Sequence, residues 1–213
     1  MTLLPPLPIR LTKIDQLVLP NHYHLTESDD CYFWGEYTAR GGFAYSKTNQ
    51  LILNLKKEPD RQGRPEWRHK GIAINEIARE FASTLDPEWL QTVTLVPVPP
   101  SKCVDDPMYD DRMLQVLRRI NPKANLDIRE LVIQPQNRNA AHLADGGGRL
   151  SPDELIERYT IDNDIKVPIP TTIAIVDDVI VSGASYRAMD TVLRHCFPEA
   201  YICGIFVARR NFS

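Results

Sequence analysis

The stretch that most constrains the fold runs from Thr172 to Ser185 and reads TIAIVDDVIVSGAS. It begins with apolar, partly β-branched residues, a pattern typical of a buried strand. Two adjacent carboxylates, Asp177 and Asp178, follow, and a loop of small residues then leads into a helical pattern. Loop amides and a helix N-terminus can bind a phosphate group, and carboxylates at a strand end can bind hydroxyl groups or a metal ion. The stretch therefore predicts a site for a sugar phosphate.

Segments with strand and helix patterns alternate from residue 71 to the end of the sequence. Apolar residues at three- and four-residue spacing predict helices over residues 71–85 and 113–120, and Ser151-Pro152-Asp153-Glu154 matches a capping box that starts a short helix. Apolar runs predict strands over residues 93–98, 126–133 and 201–208. This alternation predicts an α/β fold with a mainly parallel sheet and helices on both faces.

The N-terminal part has a different pattern, which predicts a short strand over residues 14–19 and two strands over residues 31–38 and 50–55. We expect residues 1–50 to form an arm and a small hood, and residues 51–213 to form the core. The hood aromatics could stack on a base or fill its interior: Tyr32, Phe33, Trp34 and Tyr37. Residues 56–70 carry six basic and three acidic side chains, which fits either a solvated loop or a rim that attracts phosphate.

Composition limits the classes of protein to consider. The chain has 213 residues, 43% of them hydrophobic and 25% charged, which is ordinary for one globular domain. A net charge of −3 gives no general case for nucleic-acid binding. The four cysteines include no C-x-x-C pair, so we do not expect a zinc ribbon. Without a secretion-signal pattern or an apolar run of the roughly 20 residues that span a membrane, a cytoplasmic protein is expected.

Two other phosphate-handling classes do not fit. A receiver domain also has paired acids after a strand, but it needs a phosphoacceptor Asp well downstream, and only 35 residues follow Asp178. The G-x-x-x-x-G-K-[ST] loop of nucleoside triphosphatases does not occur in the sequence.

Residues 175–185 resemble the phosphoribosyl-pyrophosphate (PRPP) motif of type I phosphoribosyltransferases, in which apolar residues precede two acids and a Thr/Ser-Gly-x-Thr/Ser loop. Val181 departs from this pattern because the family usually has Thr or Ser there. The sequence Leu95-Val96-Pro97-Val98-Pro99 resembles the strand and turn before the pyrophosphate loop of the ComF-like subgroup. Residues 51–57 and 150–159 and the pair Ala208-Arg209 also resemble that subgroup, so the similarity covers roughly residues 35 to 210. Residues 1–34 cannot be the zinc ribbon that many ComF-like proteins carry.

The resemblance implies a type I phosphoribosyltransferase-like fold and a set of site residues. Asp177 and Asp178 would accept hydrogen bonds from the ribose hydroxyls, directly or through waters on Mg²⁺, and would favour an oxocarbenium-like transition state. The loop after them would bind the 5′-phosphate: Val181, Ser182, Gly183, Ala184 and Ser185. Ser101 and Lys102 would meet the pyrophosphate, and a mobile loop over residues 134–149 would close with Arg138 and His142.

Two functions follow from this resemblance. The first is a Mg²⁺-dependent transferase of nucleotide metabolism, a glycosyltransferase that moves the phosphoribosyl group of PRPP to an unidentified small acceptor. The second is a non-catalytic protein that senses PRPP or a nucleotide, or that assists DNA uptake or phage defence. A homodimer is an open possibility, and nothing in the sequence supports a specific nucleic-acid or protein partner.

Overall fold

The fold is known from a computed structural model that describes residues 10–136 and 150–211. The described part contains a six-stranded sheet in the order β1-β2-β8-β7-β3-β4 and a two-stranded sheet of β5 and β6. The strands are β1 (Thr12–Lys13), β2 (Cys31–Thr38), β3 (Thr94–Pro97), β4 (Asp127–Ile128), β5 (Val132–Ile133), β6 (Thr160–Ile161), β7 (Thr172–Ile180) and β8 (Tyr201–Asn211). The helices are α1 (Lys47–Leu55), α2 (Arg68–Thr84), α3 (Pro87–Leu90), α4 (Arg112–Ile120), α5 (Pro152–Ile156) and α6 (Ala184–Cys196).

The main sheet is parallel except at one edge, where β1 runs antiparallel to β2. Strand β7 lies at its centre and pairs with β3 on one side and β8 on the other. Its side chains alternate between two cores: Ala174 and Val176 pack towards one face, whereas Ile173 and Ile175 pack towards the other. Burial on both faces explains why this strand has a continuous apolar sequence.

Helices cover both faces, as the sequence predicts. Helices α1, α2 and α4 supply apolar residues to one core, and α5 and α6 supply them to the other. The capping box is also present: the Ser151 hydroxyl accepts from the Glu154 amide, and the Glu154 carboxylate accepts from the Ser151 amide. The α/β class and the mostly parallel flanked sheet are therefore confirmed.

Three local predictions are wrong. Residues 50–55 belong to helix α1, because Leu51, Ile52 and Leu55 bury one helical face and the Ser46 hydroxyl caps the Asn49 amide. Residues 126–133 do not form one strand but divide between the two sheets as β4 and β5. The first strand lies at Thr12–Lys13 instead of over residues 14–19.

The residues predicted as a hood contribute to the main sheet, since β2 pairs in parallel with β8 along most of its length. Phe33 and Trp34 are buried, so they fill the interior, while Tyr32 and Tyr37 are half-buried. The boundary at residue 50 stays a prediction. Across the described ranges, no helix is long and apolar enough to cross a membrane.

Candidate functional site

The candidate site lies where two neighbouring parallel strands end. Strands β3 and β7 pair up to Pro97 and Val176, and the Val98 amide continues the ladder by donating to the Val176 carbonyl over 2.9 Å. The chain leaving β3 and the acid pair of β7 therefore meet at one edge of the sheet. In open α/β sheets this edge is where ligands bind.

A cavity of about 570 Å³ at this edge brings together nine of the predicted site residues. The acids, the small-residue loop and the loop after β3 all line it: Asp177, Asp178, Val181, Ser182, Gly183, Ala184, Ser185, Ser101 and Lys102. The volume is within the range of about 300–1,000 Å³ that small-molecule sites occupy. Arg138 and His142 fall outside the described residues.

The small-residue loop turns the chain from β7 into α6. Gly183 is the residue before the helix and has a φ of +86°, a left-handed conformation that only glycine adopts without strain. Among the described residues, no side chain caps this helix, so the amides of its first turn are not used by a cap. They lie at the cavity, where they could donate to an anion.

The N-terminal arm holds this loop in place from outside the cavity lining. His22, which is fully buried, donates from Nδ1 to the Val181 carbonyl over 2.5 Å. The His24 amide donates to the Ser182 carbonyl over 2.9 Å. Leu25 packs so closely on Gly183 that a Cβ there would lie 2.9 Å from its Cγ and Cδ2 atoms. Residues 22–25 therefore fix the shape of the loop, a role that the sequence pattern did not reveal.

The two acids differ in their surroundings. The pKa of Asp177 is raised to about 7, mainly because its carboxylate is removed from water. The adjacent Asp178 charge also acts to raise it, whereas Lys56 and Arg112 act to lower it. Asp178 is the more buried of the two, but the cations of Lys56 and Arg112 outweigh the effect of that burial and lower its pKa. In neutral solution Asp178 is thus ionised, and Asp177 titrates.

The sequence did not pair either of the two cations that contact Asp178 with that acid. Lys56 Nζ lies 2.9 Å from Asp178 Oδ1, and the Arg112 guanidinium places Nε at 2.8 Å and Nη2 at 2.7 Å from Oδ2. Both cations line the cavity. Lys102 also lines it and lies 3.9 Å from the Asp106 carboxylate. Lys56 belongs to the basic run over residues 56–70, but Arg112 lies in a segment with no recognisable motif.

Neither a protein-family model nor any curated protein matches this chain. The function proposed below therefore rests on the motif resemblance and on the geometry of the site.

Proposed function

We propose that the protein binds PRPP together with Mg²⁺ and transfers its phosphoribosyl group to a small acceptor, on a type I phosphoribosyltransferase-like fold. The observation that carries this proposal is the convergence of the acid pair, the small-residue loop and Ser101-Lys102 on one cavity. Residues 101–102 are far in the sequence from residues 177–185, and each of the three segments suits a different part of the same ligand.

The loop and helix α6 suit the 5′-phosphate. The amides of residues 182–185 and the hydroxyls of Ser182 and Ser185 are hydrogen-bond donors, and the positive end of the helix dipole favours an anion. Val181 lacks the hydroxyl that the family usually has, so the amides would carry more of the binding. Asp177 is the acid better placed for the ribose hydroxyls, because within the described residues it has no cation within 4.0 Å, whereas Asp178 has two.

Electrostatics favours a divalent cation as part of the ligand. Among the described residues, five carboxylates and three cations line the cavity: Asp110, Asp111, Glu130, Asp177, Asp178, Lys56, Lys102 and Arg112. PRPP is strongly anionic, so it needs added positive charge to enter such a cavity. Asp177 could hold Mg²⁺ through bound waters, while the ligand oxygens would supply most of its coordination. When bound, Mg²⁺ would stabilise the charge that develops on the leaving diphosphate.

A non-catalytic PRPP or nucleotide sensor is the second candidate. Two observations favour it: Val181 in place of a hydroxyl residue, and the pairing of Asp178 with two cations, which leaves one acid to accept from the ribose. Such a protein could be an accessory component of DNA uptake or phage defence. The transferase and a PRPP sensor share the ligand and differ in chemistry.

Calorimetric titration with PRPP, with and without Mg²⁺, tests the shared claim. We expect binding that requires Mg²⁺ and that falls at least tenfold in Asp177→Asn. Asp164→Asn is the matched control, since it makes the same change on an exposed residue away from the cavity. A pyrophosphate-release assay against a panel of nucleobases then separates transferase from sensor. If PRPP does not bind at millimolar concentration, the transferase and the PRPP sensor are both wrong, and of these candidates only a nucleotide sensor is left.

A further inference from the structure

Two backbone amides of the small-residue loop have no hydrogen-bond acceptor among the described residues. They belong to Ser182 and Gly183, which are buried and line the cavity. A buried amide without an acceptor is rare in proteins, and where one lines a cavity it can donate to a water or to a ligand. The direction in which these two N–H groups point therefore decides whether the cavity can bind an anion at this loop.

The N-terminal arm sets that direction from the opposite side of the same two peptide planes. The Val181 carbonyl accepts from His22 Nδ1 over 2.5 Å, and the Ser182 carbonyl accepts from the His24 amide over 2.9 Å. In a planar trans peptide unit, the carbonyl of one residue and the amide of the next point in opposite directions. Because the arm holds both carbonyls, the amides of Ser182 and Gly183 point away from the arm and towards the cavity that they line.

His22 makes its contact as a neutral imidazole. Its side chain is fully buried, and since a carbonyl only accepts, the proton lies on Nδ1. Burial lowers the pKa of His22 more than the contact with the Val181 carbonyl raises it, and the positive charge of Arg209 lowers it further. The ring is therefore uncharged in neutral solution, and Nε2 is an acceptor. Within the described ranges, this buried Nε2 atom has no hydrogen-bond partner.

Arg209 has an unused donor close to His22. It pairs with Ile180 in the register of β7 and β8, and its guanidinium lies 5.3 Å from the centre of the Phe33 ring. Its Nε and Nη2 atoms donate to Glu36 over 3.1 and 2.6 Å. The remaining nitrogen, Nη1, is buried and has no hydrogen-bond partner in the described part of the chain. Arg209 lies near enough for its charge to act on the imidazole of His22.

A group that joins these two atoms must both donate and accept. A water molecule can accept from Arg209 Nη1 and donate to His22 Nε2, and buried waters commonly bridge polar atoms that otherwise have no partner. An anion could accept from Arg209, but it would need a proton on Nε2 and therefore a charged imidazole beside an arginine. The chemistry of the two nitrogens thus favours a water.

We propose that one buried water molecule is bound between His22 Nε2 and Arg209 Nη1, and that this water holds the imidazole in the orientation in which it fixes the Val181 carbonyl and directs the Ser182 amide into the cavity. His22 is then a positioning residue for an anion site, and Arg209 acts on it through the water.

The resemblance gives this role to neither residue. It begins at about residue 35, beyond His22, and it includes Arg209 only as part of the closing strand. The identification of the anion as the 5′-phosphate of PRPP rests on the proposed function. The water and the orientation of the imidazole rest on the two unpartnered nitrogens and on the contact with the Val181 carbonyl.

The water site can be tested in the full wild-type chain. A long-range nitrogen–proton NMR correlation at neutral pH should show His22 with a protonated Nδ1 and an unprotonated Nε2. A high-resolution crystal structure should show a single water within about 3.2 Å of both His22 Nε2 and Arg209 Nη1. A protonated Nε2, an anion in place of the water, or no ordered group between the two nitrogens would each overturn the site.

Arg209→Met tests the contribution of the arginine, because it keeps a long unbranched side chain but removes every donor. We expect the water to be lost and the Nε2 resonance of His22 to shift. Glu36→Gln is the matched control: Glu36 accepts from Nε and Nη2 and not from Nη1, so this variant should keep the water and the resonance. A water and a resonance that are unchanged in Arg209→Met would overturn the role of Arg209.

Binding of inorganic phosphate tests the positioning role. An NMR titration followed at the amide protons of Ser182 and Gly183 should give an affinity that His22→Phe weakens by about 3- to 10-fold, the effect of about one lost hydrogen bond. His22→Asn should recover most of this loss, because its side-chain amide can donate to the Val181 carbonyl. His195→Phe is the matched control, since His195 is exposed in the last turn of α6 and does not line the cavity. It should bind phosphate within about twofold of the wild type.

Three results would overturn the positioning role: wild-type phosphate affinity in His22→Phe, a loss in His22→Asn as large as in His22→Phe, or an equal loss in His195→Phe. Thermal unfolding verifies that each variant is folded. If His22→Phe does not fold, Arg209→Met takes its place: it should weaken phosphate binding, whereas Glu36→Gln should not, and equal affinities in these two variants would overturn the role.

PRPP separates this test from that of the proposed function. Phosphate affinity that depends on His22, without binding of PRPP, would retain the role of His22 and reject PRPP as the ligand. PRPP binding with a phosphate affinity that is insensitive to His22→Phe would do the reverse.

Discussion

Replacing Gly183 by Ala tests whether the small-residue loop between β7 and α6 has the shape described above. Two costs arise from the structure. A φ of +86° places an L-residue in the left-handed region, which costs about 1–2 kcal/mol. The new Cβ would also lie 2.9 Å from Cγ and Cδ2 of Leu25, and overpacking of this kind costs about 1–3 kcal/mol. We therefore expect Gly183→Ala to lower the free energy of unfolding by about 2–5 kcal/mol.

Chemical denaturation measures this change in the free energy of unfolding, and the thermal midpoint gives a second measure. For a chain of this size the midpoint should fall on the order of 10 °C. Gly71→Ala is the matched control, because Gly71 lies in helix α2 and an added Cβ would have no described atom within 4 Å beyond its chain neighbours and the backbone of its own helix. It should raise the free energy of unfolding by about 0.5–1 kcal/mol, the usual difference between Gly and Ala within a helix.

A double-mutant cycle separates the two costs. Leu25→Ala removes the two atoms that would lie 2.9 Å from the Cβ and leaves only an ordinary 3.5 Å contact with the Leu25 amide nitrogen, so in that background Gly183→Ala should cost only the backbone part, about 1–2 kcal/mol. A loss below about 1 kcal/mol in the single variant, or an equal loss in both backgrounds, would refute the described loop and its contact with the N-terminal arm.

The remaining predictions concern the charges and the polar core. Because the pKa of Asp177 is raised to about 7, its ionisation lowers stability as pH rises from its unfolded value of about 4 to about 7. Denaturation at pH 5 and pH 8 should therefore show Asp177→Asn gaining stability relative to the wild type as pH rises, and a constant difference would contradict the raised pKa. Lys70→Met should cost about 3–5 kcal/mol in urea denaturation, because it removes one of the two cations on Asp110 and leaves the carbonyls of Leu55 and Lys57 without their buried donor; a loss under about 1 kcal/mol would mean that these contacts of Lys70 are not formed. Asn49→Ala should cost about 1–3 kcal/mol in the same assay, because its buried amide pairs with the backbone of Thr38 and Gly42; stability equal to the wild type would show that these groups find other partners.

The local sequence pattern was sufficient to predict an element where the burial or capping of its own residues decides its structure. Strand β7 has apolar side chains on both faces, and the capping box of α5 is made within four residues, so each could be predicted without knowing what packs against it. Helix α1 shows the limit of such patterns. Its apolar run, residues 51–53, fits a strand as well as a helix. The segment is helical because Leu51, Ile52 and Leu55 then pack in one core with residues of α2.

The sequence by itself determined the α/β class and the residues of the acid pair and the small-residue loop, because these depend on neighbours a few positions apart. The tertiary structure alone decided what surrounds them. Arg112 reaches Asp178 across 66 residues, Lys70 reaches Asp110 across 40, and His22 reaches the Val181 carbonyl across 159. No local periodicity encodes such pairs, since a lone Lys, Arg or His has the same pattern on a solvated surface. Only the folded chain shows that Asp178 is paired with two cations, whereas its neighbour Asp177 has no cation within 4.0 Å among the described residues.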